Sequence, residues 1–372
     1  MALLSYNLLF VNCMKIIGID GNEANVDKRV GIGEYSFELL KRFKEFKISN
    51  LKFQIYLKNE PLPDMPGENE SWKYRVIGPK KFWTQIALPI DLYLHRPRPD
   101  VFFTPSHYAP RFSPMPTAIS IMDLSYIKYP ELFKKNDLYQ LRNWTSYSVK
   151  KASRVFTISL ASKNDIIKEY RLLENKVIVT YPGLKQNIGE KPKSFMGKYI
   201  LFVGTLQPRK NITALIEAFS KIKDKYPNIN LLVVGKKGWL FEEILESPKK
   251  LGVEDRVQFL DYVTDEEMPG LYKNAECFVL PSLYEGFGLP VLEAMQNDCP
   301  VILSDASSLP EAGGNAALYV NPENVDDIAK KIDKVLSDPK LRLEMIKKGR
   351  EQVKKFSWEK TAKETLKVLQ EI

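Results

Sequence analysis

The stretch Pro281-Ser-Leu-Tyr-Glu-Gly-Phe-Gly-Leu-Pro-Val-Leu-Glu-Ala-Met295 carries the strongest indication of the fold. It follows Cys277–Leu280, a short apolar run of the kind that forms a buried parallel strand. Gly286 and Gly288 allow the backbone to approach a ligand closely, and Pro290 suits the first turn of a helix. The free N–H groups of that turn can donate to phosphate or sugar oxygens. The stretch therefore predicts a strand, a ligand-binding loop and a helix.

Two glutamates flank the start of this predicted helix. Glu293 lies near the first turn, where its carboxylate can accept two hydroxyls, as acidic residues do with ribose in dinucleotide sites. Glu285 precedes the helix, and we expect it to be free to point at a different part of the ligand. The alternative is a Gly-Pro loop with two solvated glutamates, which the full pattern disfavours.

A second segment, Gly204-Thr-Leu-Gln-Pro-Arg-Lys-Asn211, follows the predicted strand Tyr199–Val203 and also opens a helix. Arg209 and Lys210 bring two positive charges to a helix N-terminus, which is unfavourable for cations unless an anion is present. A diphosphate would satisfy both side chains, since Arg can hold two phosphate oxygens while Lys acts as a point charge. Taken alone, a basic pair at a helix start is usually solvated, but the presence of the Glu285 segment reverses that preference.

Short apolar runs alternate with helical patterns along most of the chain, which predicts two doubly wound α/β domains with parallel sheets. A polar stretch rich in Lys, Gly and Pro, 185–198, is the expected linker. The predicted strands are 15–20, 51–57, 73–77, 100–104, 117–122, 154–158 and 177–180, then 199–203, 230–234, 257–260, 277–280 and 301–303. Helical patterns cover 34–46, 324–336, 338–354 and 358–371, and others start near Asn211, Leu240, Asp265 and Leu289.

Composition bounds the class of protein. The chain has 372 residues, 44% hydrophobic and 27% charged, which is typical of a globular protein of two domains. The formal net charge of +9 suits phosphorylated substrates, nucleic acid or an anionic membrane surface without choosing among them. Three widely spaced cysteines indicate a reduced cytoplasm. We expect no signal peptide, and residues 1–13 to be a loose tail before a true start at Met14.

The two segments together resemble glycosyltransferase family 4, the retaining group 1 glycosyltransferases, in a mannosyltransferase-like form. Glu285 and Glu293 reproduce the E-x7-E pattern of the family, and 204–211 looks like its donor-phosphate loop. The resemblance implies the GT-B fold, two Rossmann-like domains with a cleft between them. It implies an acceptor-binding domain over 14–190, a nucleotide-sugar-binding domain over 191–356, and a helix over 357–372 that packs back toward the first domain.

The resemblance also implies roles for individual residues. Glu293 would bind the ribose, and Arg209 and Lys210 would neutralise the diphosphate leaving group, with Gly204 in the same loop. Glu285 would bind the transferred sugar. The backbone of four following residues would assist it: Gly286, Phe287, Gly288 and Leu289. Gly31 and Gly33, in an N-terminal loop, would bring the backbone of the first domain close to the phosphates or the acceptor.

The chain departs from the family at the loop that carries Asp123. Many relatives have a His immediately before this Asp, whereas Met122 stands here and can neither donate to a sugar hydroxyl nor act as a base. We expect Asp123 to cover part of that role, and His107, which follows a predicted strand, to contact the acceptor. Thr205 stands where some relatives carry Arg. Neutralisation of the phosphate charge would therefore depend more on Arg209 and Lys210.

The expected reaction is the transfer of a hexose, with mannose favoured, from GDP-mannose or a UDP-hexose to a glycan or lipid-linked acceptor in cell-surface polysaccharide assembly. Retention would follow from same-face attack, with positioning and charge stabilisation as the main sources of catalysis. Asp64, Asp100 and Asp123 are isolated in the sequence, so no metal pair is predicted. We expect no cofactor and activity without a divalent metal ion.

The stretch 80–94 is basic and rich in apolar residues, which is compatible with peripheral contact of a cytoplasmic enzyme with the inner face of the plasma membrane. The alternative is a core-facing helix with two surface lysines. Other classes of protein remain open at this point. A nucleotide-sugar epimerase would share the nucleotide contacts. An NAD-dependent oxidoreductase lacks its complete glycine fingerprint here. A nucleic-acid-binding protein would use the positive charge, but no recognised module is present, so no nucleic acid partner is expected.

Overall fold

The computed structural model describes residues 14–133, 135–185, 197–261 and 263–372. The predicted tail, 1–13, and most of the predicted linker lie outside the described residues. The chain divides into two compact units: the first comprises residues up to 120 together with 144–156 and 362–372, and the second comprises 121–143 and 157–361. The domain boundaries predicted from the sequence stay a prediction.

The first sheet contains seven strands among the described residues, in the order β3-β2-β1-β4-β5-β6-β7. The strands are β1 Lys15–Asp20, β2 Leu51–Leu57, β3 Trp72–Val76, β4 Val101–Thr104, β5 Thr117–Ser120, β6 Arg154–Thr157 and β7 Val177–Val179. Neighbours from β3 to β6 pair in parallel, with Ile17 of β1 opposite Phe53 on one side and Val101 on the other. The apolar run of β4 is buried throughout, as expected for a strand covered on both faces.

Helices and turns connect these strands. They are α1 Ile32–Glu45, a π-helical turn Trp83–Ala87 that continues into α2 Leu88–Leu94, α3 Ser125–Lys128, α4 Lys135–Lys151 and α5 Leu160–Tyr170. Short 3₁₀ turns cover Pro130–Leu132 and Glu174–Lys176. The helix α1 presents Tyr35, Leu39, Leu40 and Phe43 to the core, the apolar spacing of a helix that packs on a sheet.

The second sheet contains six parallel strands among the described residues, in the order β10-β9-β8-β11-β12-β13. The strands are β8 Lys198–Val203, β9 Ile229–Val234, β10 Val257–Leu260, β11 Cys277–Leu280, β12 Val301–Ser304 and β13 Ala317–Val320. The sequence analysis predicted five of these strands and missed β13. That strand is short and only half-buried over its first three residues, so it lacks the continuous apolar run of its neighbours.

The helices of this half are α6 Ile212–Ile222, α7 Glu242–Lys250, α8 Met268–Lys273, α9 Leu289–Gln296, α10 Leu309–Gly313, α11 Val325–Ser337, α12 Pro339–Val353 and α13 Trp358–Glu371. Further 3₁₀ turns cover Pro208–Lys210 and Glu254–Arg256. A single hydrophobic core unites β8, β9, β11 and β12 with the inner faces of α6, α9 and α11. The predicted doubly wound α/β architecture is confirmed. In the described part of the chain, no helix is both long and apolar enough to cross a membrane.

The strand order determines where a ligand can bind. The order reverses between β8 and β11 in the second sheet, since β9 and β10 extend from one side of β8 and β12 and β13 extend from β11. In doubly wound sheets, ligands bind at such a switch point, beyond the carboxyl ends of the strands. The loops after β8 and β11 are the two segments that the sequence analysis singled out.

Candidate active site

The loops after β8 and β11 are joined directly by hydrogen bonds. The Asn211 side chain donates to the carbonyl oxygens of Pro281 at 3.1 Å and Pro322 at 2.7 Å. The backbone N–H of Leu283 donates to the carbonyl of Arg209 at 2.9 Å. Asn211 adopts a left-handed conformation between the 3₁₀ turn and α6, which Asn tolerates better than most residues. These bonds hold the two loops in register at the switch point.

A buried charge cluster lies where the loops meet. Lys210 Nζ is 2.5 Å from Glu285 Oε1, and Arg209 Nη1 is 3.3 Å from Glu285 Oε2. The Ser282 hydroxyl donates to Glu285 Oε1 at 2.8 Å. Lys210 and Glu285 are only 9% and 6% exposed. The expectation that Glu285 is free was wrong, because a carboxylate this deeply buried requires the two cations as partners.

The cluster holds two cations against one carboxylate. Burial alone would raise the pKa of Glu285, but the charges of Lys210 and Arg209 outweigh it and lower that pKa. Burial lowers the pKa of Lys210, and the neighbouring Arg209 lowers it further, while Glu285 opposes both. Asp123, outside these three residues, also acts on Lys210 and opposes the lowering of its pKa. Within the cluster itself the cations exceed the carboxylate by one, a balance that suits an anionic ligand.

The backbone of Glu285 is fixed from the start of α10. Its carbonyl oxygen accepts hydrogen bonds from the hydroxyls of Ser307 at 2.7 Å and Ser308 at 2.9 Å. The Ser304 hydroxyl donates to the carbonyl of Ser282 at 2.5 Å. The sequence patterns did not predict a role for these serines. The only available signal was their location in a polar turn after a predicted strand, and such turns are common.

Asp123 reaches the same loop. A Cβ atom at Gly286 would come within 2.9 Å of Asp123 Oδ2, so only glycine allows this approach without a shift. The other oxygen, Oδ1, accepts the backbone N–H of Ser125 at 2.8 Å. The backbone N–H of Leu124 donates to the Tyr284 hydroxyl at 3.3 Å, and that hydroxyl donates to Asp165 at 2.9 Å. The structure thus brings Asp123 beside the loop that carries Glu285.

Helix α9 begins directly after the loop that carries Glu285. Gly288 is the N-cap residue in a left-handed conformation, and Pro290 lies in the first turn, as predicted. The side chain of Phe287 is buried, with its ring 5.8 Å from that of Tyr181 and 5.3 Å from that of Phe356. The side chain of Phe287 is therefore not available to a ligand. Leu289, the first residue of the helix, is half-buried.

Glu293 is the fifth residue of α9 and lies directly after the first turn, near the position expected from the sequence. Its Oε2 accepts the hydroxyl of the buried Tyr272 at 2.8 Å. Burial raises the pKa of Glu293, the Tyr272 bond opposes the rise, and Asp265 adds to it. Among the residues that the structure describes, Oε1 receives no hydrogen bond from the protein. Tyr272 was missed because nothing in the sequence links α8 to α9.

The loop after β8 also contacts the loop after β9. A Cβ atom at Gly235 would lie 2.0 Å from the carbonyl oxygen of Gly204, so the two backbones touch where only glycine fits. The Leu206 N–H donates to the Lys236 carbonyl at 2.9 Å, and the Gly238 N–H donates back to the Leu206 carbonyl at 3.0 Å. Gly204 was among the residues predicted from the sequence, whereas Gly235 was not.

Comparison with known proteins places this geometry in a family. A model described as "Glycosyl transferases group 1" matches residues 185–352. O-antigen chain mannosyltransferase B of Escherichia coli is 30% identical over 365 residues, which cover 90% of this chain and 94% of the relative. The chain belongs to the group 1 glycosyltransferases. The resemblance that the E-x7-E pattern indicated is thereby confirmed.

Solved structures of glycosyltransferases share the fold of this one. Sucrose-phosphate synthase from Thermosynechococcus elongatus superposes with a TM-score of 0.73 at 18% identity, over 96% of this chain and 98% of that chain. HepE from Anabaena, in complex with UDP-glucose, gives a TM-score of 0.73 at 18% identity, over 96% and 100%. At these identities the likeness concerns the fold alone, and it confirms the predicted GT-B architecture.

The remaining predicted residues of this glycosyltransferase lie in the first unit. Gly31 is the N-cap residue of α1, in the loop after β1, and Gly33 lies in the first turn, where a Cβ atom would be 3.0 Å from the Glu23 carbonyl. His107 follows β4, the neighbour of β1, and its half-buried ring is 6.2 Å from that of Tyr108. These three residues therefore follow adjacent strands and are not part of the charge cluster.

Within residues 14–133, 135–185, 197–261 and 263–372, no group of three or more His, Cys, Asp or Glu side chains is arranged to hold a metal ion.

The raised pKa of Glu293 implies that the free energy of unfolding depends on pH through this carboxyl. A carboxyl whose pKa is higher in the folded than in the unfolded state favours folding at low pH, and that contribution is lost as pH rises through the folded pKa. We expect the Glu293→Gln variant to melt progressively higher than the wild type as pH increases from about 4 to 7. Thermal melts across this range measure the difference.

The control is Glu243→Gln, which removes an exposed carboxylate at the start of α7. It reports what the loss of one surface charge does to the melting temperature. A difference between Glu293→Gln and the wild type that stays constant with pH, or matches the control, would contradict a raised pKa for the Glu293 carboxyl.

Proposed function

We propose that this glycosyltransferase transfers mannose from GDP-mannose to a glycan or lipid-linked acceptor in cell-surface polysaccharide assembly, with retention at the anomeric carbon. The observation that carries the proposal is the buried cluster of Arg209, Lys210 and Glu285 at the switch point, with its excess positive charge. The E. coli relative is named as a mannosyltransferase, which supports mannose as the transferred sugar. HepE was solved with UDP-glucose, which supports a nucleotide-sugar donor and leaves a UDP-hexose as the alternative to GDP-mannose. The relatives are transferases, so we do not retain the epimerase hypothesis.

In this proposal, the nucleotide diphosphate lies over the loop after β8. Arg209 and Lys210 contact its phosphate oxygens, and the backbone of Gly204 lines the same loop. Lys210 stays paired with Glu285 when the donor binds. The carboxylate offsets one of the two positive charges, so the diphosphate interacts with the net charge of Arg209 and Lys210 together. Such preorganised charges in a water-poor site stabilise charge that develops on a leaving group far better than water does.

The rest of the donor binds along α9. Glu293 accepts the ribose hydroxyls through Oε1, while Tyr272 keeps the carboxylate in a single orientation. Glu285 and the N–H groups of Gly286, Phe287, Gly288 and Leu289 bind the hydroxyls of the transferred sugar. Glu285 can serve both the sugar and Lys210, since one carboxylate accepts several hydrogen bonds.

We propose same-face attack as the mechanism. The bond between the anomeric carbon and the β-phosphate oxygen breaks, the acceptor hydroxyl oxygen bonds to the same face of that carbon, and its proton passes to the departing phosphate oxygen. Arg209 and Lys210 stabilise the charge on the diphosphate, and Asp123 orients the sugar beside Gly286. The reaction proceeds without a divalent metal ion. On the acceptor side, Gly31 and Gly33 keep the backbone of their loop free of side chains, and His107 offers a polar ring; the N–H of Gly33 itself donates to the Val30 carbonyl at 3.1 Å.

Lys210 allows a direct test. The Lys210→Gln variant keeps a hydrogen-bond donor for Glu285 but removes the charge, so burial of Glu285 is less disrupted than by alanine. We expect its release of GDP from GDP-mannose, measured in EDTA, to fall by about 100-fold or more, since the loss of one charge-stabilising group typically has this effect.

The matched control, Lys347→Gln, changes an exposed lysine of α12 and should leave GDP release unaltered. Melting curves of both variants verify folding. Near-normal GDP release by a folded Lys210→Gln variant would contradict the proposal that Lys210 stabilises the diphosphate. Release that appears only after a divalent metal ion is added would contradict the metal-independent mechanism.

We also propose that the first unit contacts the membrane surface, as a cytoplasmic enzyme at the inner face of the plasma membrane. Trp83, Leu88 and Leu92 are buried in the core, so one face of the segment 83–94 packs inward. The opposite face exposes large apolar side chains beside Lys80 and Lys81. They are Phe82, Ile86, Ile90 and Leu94. An exposed apolar strip beside cations fits an anionic lipid surface.

Vesicle sedimentation tests this contact. We expect the wild type to sediment with vesicles of phosphatidylglycerol at low salt, and an Ile86→Asp/Ile90→Asp variant to stay in the supernatant, because the charges oppose insertion of the apolar strip. Leu343→Asp, at an exposed leucine of α12, is the control and should sediment like the wild type. A wild type that fails to sediment would end the membrane proposal.

A further inference from the structure

The segment 122–133 crosses the carboxyl edge of the second sheet and meets it at three places. Asp123 lies against Gly286 in the loop after β11. The ring of Tyr129 is 6.1 Å from that of Tyr284 in the same loop. The ring of Phe133 is 5.9 Å from that of Trp239, which belongs to the loop after β9. The segment therefore runs from the proposed sugar loop to an aromatic side chain that the mechanism above does not use.

The loop that carries Trp239 is held in one conformation. Its backbone exchanges two hydrogen bonds with Leu206 of the donor-phosphate loop, and Gly235 touches Gly204. Leu240 has a φ of 56°, a region that branched apolar side chains rarely adopt. Backbone strain of this kind persists only where the surrounding structure imposes it.

This firmly held loop presents apolar surface to solvent. Trp239 is 45% exposed although its ring contacts Phe133, and Leu240 is 55% exposed. Leaving so much apolar surface in water forgoes the stabilisation that burial would give. An indole ring on a fixed loop is, however, well suited to bind the C–H face of a pyranose ring, since it offers a broad apolar surface at little cost in side-chain entropy.

The strand order sets the distance to the reacting sugar. β9, β8 and β11 are consecutive neighbours, so the loop after β8, with Arg209 and Lys210, lies between Trp239 and Gly286. Two strand spacings amount to roughly 10 Å. In the proposed function the diphosphate lies over this middle loop, so an acceptor ring stacked on Trp239 would lie beside the diphosphate, the side from which same-face attack requires the acceptor hydroxyl to approach to about 3–3.5 Å.

We propose that Trp239, supported by Phe133, is the acceptor platform, a surface that stacks a pyranose ring of the acceptor glycan. The proposal rests on the function proposed above and specifies the acceptor side of the same site. The ligand class is a neutral sugar ring presented at the end of a glycan. The donor nucleotide base is the competing occupant, and the experiment separates the two.

The test uses ligand-detected saturation-transfer NMR on the full chain, saturated with GDP-2-deoxy-2-fluoromannose so that the donor site is filled. The probes are methyl α-glycosides of mannose, glucose, galactose and N-acetylglucosamine. We expect at least one to give a signal with the wild type and to bind about tenfold more weakly to Trp239→Ala, a loss that corresponds to ~1.4 kcal/mol. Trp239→Phe should restore part of the affinity.

Tyr139→Ala is the matched control, because Tyr139 is 66% exposed on α4 and lies outside the proposed platform. It should bind the glycoside like the wild type, and melting curves of all variants verify folding. Unchanged glycoside binding by Trp239→Ala, or no signal from any glycoside with the wild type, would overturn the platform.

Affinity for the fluorinated donor is measured in parallel by calorimetry. An equal affinity in the wild type and Trp239→Ala supports the acceptor role. A loss of donor affinity in Trp239→Ala would assign the ring to the nucleotide base and overturn the proposal. No donor affinity in the wild type would instead reject the proposed function itself.

Discussion

The buried ion pair between Lys210 and Glu285 is the interaction on which the site depends. Each partner comes from a different loop, one after β8 and one after β11, and neither charge could be buried without the other. The pair therefore requires the two strands to be neighbours, and the switch point of a doubly wound sheet makes them so. Arg209 adds a second cation, which turns a neutral pair into a site with an unbalanced positive charge.

Neighbouring side chains hold both glutamates of the candidate site in place. Ser307 and Ser308 fix the backbone of Glu285, and Tyr272 fixes Glu293 at a place where burial raises the pKa of its carboxyl. Groups held in unfavourable surroundings are typical of functional sites, because an active site is organised for the ligand's charge distribution rather than for the stability of the free protein.

The sequence predicted the strands and most helix starts because buried parallel strands are continuous apolar runs and helix caps have local signatures. The residues around Glu285 and Lys210 also indicated the two loops that the structure brings together at the switch point. Prediction from the sequence failed where the determining contact joins distant segments. The partner of Glu285 lies 75 residues away. The contacts of Tyr272 with Glu293, of Gly235 with Gly204 and of Trp239 with Phe133 also join segments that periodicity cannot connect. The short, half-buried β13 was missed for lack of an apolar run.

The most direct test of the charge cluster is calorimetric comparison of nucleoside diphosphate with monophosphate. If Lys210 and Arg209 receive the β-phosphate, the wild type binds GDP (or UDP, if the donor is a UDP-hexose) much more tightly than the corresponding monophosphate, and Lys210→Gln loses most of that difference while its affinity for the monophosphate changes little. Equal binding of the two nucleotides by the wild type, or a difference that survives in Lys210→Gln, would contradict the account.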